Sequence, residues 1–72
     1  MTDASDALDR AVLAYLDQHR DHPPTVGEIY DALGIPTSSI RASLRRLTAA
    51  RKVARAGQGR NGGYTWTIRG RR

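Results

Sequence analysis

The residues of this 72-residue chain best equipped for chemistry are the arginines and hydroxyls of the stretch 36–52, PTSSIRASLRRLTAARK. A guanidinium offers a planar fork of donors that matches phosphate oxygens and the major-groove edge of guanine. Small residues such as Ala42 and Ala49 stand among Arg41, Arg45, Arg46 and Arg51 and let a helix face come close to a ligand. Thr37, Ser38 and Ser39 bring hydroxyls and backbone N–H groups to the head of that stretch, where a helix N-terminus favours a phosphate. Catalysis finds no footing. There is no cysteine, no carboxylate pair with a nearby base and no phosphate-loop motif, and both histidines lie far from Ser38 and Ser39. His19 and His22 have no third ligand nearby and precede Pro23, so they read as solvated helix-end residues. The chemistry expected is recognition, with no enzyme activity, cofactor or metal.

Charge placement points to the ligand. Seven acids (Asp3, Asp6, Asp9, Asp17, Asp21, Glu28, Asp31) against Arg10 and Arg20 give the first 31 residues a net charge of −5. Ten basic side chains and no acid follow, giving +10. A positive field gathered on one part of a small body is the footprint of a polyanion binder. Membrane surfaces attract basic patches too, but this half has interrupted apolar stripes and a glycine-rich loop where an amphipathic membrane helix needs a wide apolar face. No apolar run reaches the roughly 18 residues a membrane span requires. The acidic opening MTDASDALDR lacks the basic start and apolar stretch of a secretory leader, so the expected location is cytoplasmic, at the nucleoid.

The positioning elements follow from periodicity. Leu8, Ala11, Val12, Tyr15 and Leu16 give residues 4–19 a broad helical stripe, with Thr2 or Ser5 as cap. His22-Pro23-Pro24 ends that helix. Thr25-Val26-Gly27-Glu28 has the form of a capping box and starts a second helix with Val26, Ile29, Tyr30 and Leu33 on one side. Gly34 ends it, Ile35 is buried, and Pro36 is the cap or first residue of a third helix. In that helix, over 37–50, Ile40, Leu44 and Leu47 form the apolar stripe. Ser38, Ala42, Arg45, Arg46 and Ala49 face away from it, and Arg41 lies on the flank. Residues 52–56 read as a strand. Residues 64–68, YTWTI, read as a stronger one with Tyr64, Trp66 and Ile68 on one face. Between them GQGRNGG, 57–63, forms a hairpin tip carrying Gln58, Arg60 and Asn61. Arg69 to Arg72 make a basic tail, expected to order only on a polyanion.

Helix, helix, turn, helix and a hairpin with a basic tip resemble the winged helix-turn-helix DNA-binding domains, of the small bacterial, archaeal or phage regulator type. The residues that carry the resemblance are TVGEIYDALGIPTSSIRASLRRLTAARKVAR and the closing YTWTI, within a single α+β domain spanning 1–72 with its core at 5–68. The resemblance implies a third helix in the major groove and a wing, 55–63, on the adjacent backbone or minor groove. Carried onto this chain, Thr37, Ser38, Ser39, Arg41, Ala42 and Arg45 face the groove. Arg46, Arg51 and Lys52 meet phosphates, and Arg55, Gln58, Arg60 and Asn61 form the wing contacts. The Z-DNA-binding winged helices close on a similar Trp-containing strand but use an Asn and a Tyr where this chain has Arg41 and Arg45. The wing here also lacks their prolines. An ordinary B-form duplex is therefore the implied ligand, with Trp66 in the core.

The function expected is a double-stranded DNA-binding protein, a small transcriptional regulator acting as a monomer or weak homodimer. Two alternatives stand beside it: a non-specific architectural binder, and a winged-helix module that docks a protein partner on the acidic first helix through residues such as Asp9 and Asp17.

Overall fold

The computed structural model describes residues 4–59 and 63–69. Three helices precede a two-stranded antiparallel hairpin: α1 (Ala4–Gln18), α2 (Val26–Leu33), α3 (Thr37–Ala49), β1 (Val53–Gln58) and β2 (Tyr64–Ile68). The core is Val12 and Leu16 from α1, Ile29 from α2, Ile40, Leu44 and Leu47 from α3, and Val53 from β1. Each helix contributes one stripe, so the three stripes close on one another and the hairpin seals the remaining side through Val53, Trp66 and Ile68.

The helix boundaries have local causes. At the start of α2 the Glu28 N–H donates to Thr25 Oγ1 (3.2 Å) and the Thr25 N–H donates to Glu28 Oε1 (2.8 Å), the reciprocal capping box the sequence predicts. Gly34, at φ 70°, ends α2 with its N–H on the Tyr30 carbonyl. Pro36 is the N-cap of α3 and offers no side chain to cap it. Ser5 sits inside the first turn of α1 and does not cap it; the other candidate cap, Thr2, lies outside the described residues. Tyr30 departs from its predicted burial and is 47% exposed. Burial on α2 centres on Ile29, and the next residue lies about 100° further round the helix.

α3 ends in a Schellman arrangement. The Arg51 N–H reaches the Thr48 carbonyl (2.9 Å) and the Lys52 N–H reaches the Leu47 carbonyl (2.8 Å). Arg51 takes the left-handed position of this motif at φ 62°, where glycine is the usual occupant.

The hairpin is longer on its first strand than the sequence predicts. Val53, Ala54 and Arg55 pair with Ile68, Thr67 and Trp66. The register then shifts past Ala56, and Gly57 and Gln58 pair with Thr65 and Tyr64. The bulge absorbs one residue and lets the ladder continue into the glycine-rich segment. The hairpin is also fastened to α2: Thr25 bridges Thr65, and the Trp66 N–H donates to the Pro24 carbonyl (2.9 Å).

Candidate nucleic-acid interface

α3 and the hairpin enclose an open groove of about 1050 Å³, floored by the first turn of α2. Its α3 wall carries Arg41 and Arg45, one turn apart, followed by Thr48 and Ala49. Its hairpin wall carries Arg55, Tyr64 and Trp66, and its floor Thr25, Val26 and Gly27. Three arginines thus meet in one depression that no carboxylate lines among the described residues. Arg41, Arg45 and Arg55 are all exposed, so their guanidinium groups remain hydrated and available to an anion.

The two walls are chemically different. The Arg55 guanidinium lies 4.4 Å from the centre of the Tyr64 ring, a cation–π contact that fixes both side chains. Tyr64 is 48% exposed, whereas Trp66, two residues along the same face, is half-buried against the core. Trp66 therefore serves the core, as the sequence predicts, and also forms part of the groove wall.

The other basic residue of α3 turns elsewhere. Arg46 grips Asp9 of α1 with two N–H groups, Nη2 to Oδ1 at 2.7 Å and Nε to Oδ2 at 3.2 Å. The fully buried Ser43 hydroxyl donates to the same carboxylate at 2.5 Å. These donors, Arg46 first and Ser43 after it, hold the Asp9 carboxyl below its ordinary range against the opposing effect of burial. The face expected to carry Arg45 and Arg46 together is therefore split. Arg41 and Arg45 look to the hairpin, while Arg46 staples α3 to α1.

Thr37 and Ser39 are half-buried and Ser38 exposed at the head of α3, with Ala42 half-buried behind Arg41. Arg51 and Lys52 are exposed beyond its other end, and Lys52 borders a second depression that includes Asp6 and Asp9. Gln58 is exposed on the hairpin, and Arg60 and Asn61 lie outside the described residues. Nine groove residues were not among the predicted contacts, Thr25, Thr48, Ala49 and Tyr64 among them. Thr48 was legible as the position one turn beyond Arg45 and two beyond Arg41. Thr25 and Tyr64 were not, because their place depends on how the hairpin docks. Just past the end of α1, His19 spends its ring on Tyr15, stacked at 4.1 Å with Nδ1 2.8 Å from the Tyr15 carbonyl.

No protein-family model and no curated protein matches the sequence. A solved structure does, the apo-Zalpha of zebrafish PKZ, with a TM-score of 0.78 over 92% of this chain and 97% of that one. The fold is a winged helix. The two chains are 23% identical, so what they share is the backbone arrangement: three helices followed by a hairpin.

Proposed function

We propose that this chain is a double-stranded DNA-binding module, a small transcriptional regulator of the bacterial, archaeal or phage type. α3 enters the major groove and the hairpin follows the backbone or minor groove. One observation carries the reading: Arg41, Arg45 and Arg55 converge on a single groove free of carboxylates among the described lining residues. The winged-helix fold and the basic second half of the chain support it.

Arg41 and Arg45 read base edges, with Thr37, Ser38, Ser39 and Ala42 beside them. Arg51 and Lys52 meet phosphates, Arg46 keeps its ion pair with Asp9, and Arg55, Gln58, Arg60 and Asn61 hold the hairpin to the backbone. Selection of a preferred site from a random duplex library, followed by alanine variants, tests these roles. Arg41→Ala and Arg45→Ala relax sequence preference, and Arg60→Ala weakens every duplex alike. Equal losses on all duplexes for all three variants would refute base reading. Docking of a protein on α1 gains nothing from the geometry, since Asp9 is engaged by Arg46 and Ser43, and Asp17 by Arg20 at 2.6 Å.

A further inference from the structure

The hairpin wall of the groove is unlike a surface made only for a phosphate chain. A backbone contact needs cations, hydroxyls or N–H groups. Here the wall presents an aromatic ring, Tyr64, half exposed at the mouth, with Trp66 continuing the same face inward. An exposed tyrosine on a small hairpin leaves apolar surface in water, and Arg55 covers only part of it. The phenol–guanidinium pair makes a flat, positively charged platform. Across from it stand Arg41 and Arg45, four residues apart, with no carboxylate between. A planar, π-bearing group whose edge carries acceptors for guanidinium donors satisfies this arrangement. A nucleobase has that composition. In a fully paired helix the base faces are stacked on one another, so such a platform is filled only by a base that has left the stack.

Resting on the nucleic-acid reading above, we propose that the groove seats an unpaired base on the Tyr64–Arg55 platform, with the edge of that base towards Arg41 and Arg45. The preferred partner is a duplex carrying an unpaired or extruded nucleotide. Capture of a base at the groove mouth also gives Tyr64 a role that an ordinary wing does not require.

Fluorescence anisotropy with three labelled duplexes of one sequence tests this: fully paired, with a single-nucleotide bulge, and with an abasic residue in the bulge. The bulged duplex binds about tenfold tighter than the paired one, as expected for one base stacked on an aromatic platform, and the abasic bulge loses that gain. Tyr64→Phe keeps the ratio and Tyr64→Leu brings it towards one. Equal affinity for the bulged and abasic duplexes would overturn the proposal, since the protein would then be sensing bendability and not the base. Equal affinity for all three would overturn it too, while leaving the DNA-binding reading intact. Absence of binding to any of them would overturn that reading and the proposal together.

Discussion

Asp9 joins the first helix to the third, and its two partners explain why. Ser43 is a fully buried hydroxyl on the core stripe of α3, and without the Asp9 carboxylate it would leave a donor unsatisfied. Arg46 completes the cluster with its side chain still 42% exposed, against 20% for Asp9, so solvent screens part of the attraction. Asp9→Asn keeps an acceptor for Ser43 but removes the charge, and it destabilises the fold at pH 7 by about 1–2 kcal/mol. The folded carboxyl titrates below its ordinary 3.8. Its contribution is therefore complete above that range and is lost as pH falls through the lowered folded value. Urea unfolding at pH 7 and pH 3 checks both points: the gap between wild type and variant narrows in acid. Arg51 offers the opposite sign. It occupies the left-handed end of a Schellman motif, and Arg51→Gly raises stability by about 1 kcal/mol, read as a higher Tm. Neither residue's role was legible in sequence. Ser43 carries no sequence signal of its burial, and nothing local announces that Asp9, 34 residues away, completes it.

At the scale of elements, the helix punctuation was legible and the hairpin's docking was not. Thr25 with Glu28, Gly34 and Pro36 act within a few residues of themselves, so their types predict the caps they make. The same Thr25 also meets Thr65 of the hairpin, a contact that only the closed fold creates. Its methyl group governs the hairpin tip as well: a Cβ on Gly59 would stand 2.6 Å from Thr25 Cγ2. The Gly59 N–H closes the tip on the Gly63 carbonyl at 2.6 Å, which leaves little room to move away. Gly59→Ala therefore destabilises the protein. Thr25→Ser, which keeps the capping hydroxyl and deletes the methyl, recovers much of the loss. A double-mutant cycle by thermal unfolding gives a coupling of about 1 kcal/mol. Additivity of the two changes would mean that the tip does not rest on α2. With the hairpin held in this way, the width of the groove between it and α3 is set by the fold.

The molecule as a whole separates its charge. Among the described residues the acids lie on the first two helices and, for Asp21, on the turn between them, while Arg41, Arg45 and Arg55 of the second half line the groove. This polarity was legible from sequence because it needs only the order of charges along the chain. Which arginines share a surface needed the structure, because Arg45 and Arg46 are neighbours in sequence but diverge by a quarter-turn of helix to Tyr64 on one side and Asp9 on the other. The ligand proposed for the groove face is a nucleic-acid polyanion. Its most direct test is the affinity for a labelled mixed-sequence duplex, measured by anisotropy over a series of salt concentrations. With five to seven phosphate contacts, log affinity falls against log salt with a slope of roughly −4 to −6. Absence of binding at low salt, or an affinity indifferent to salt, would rule that ligand out.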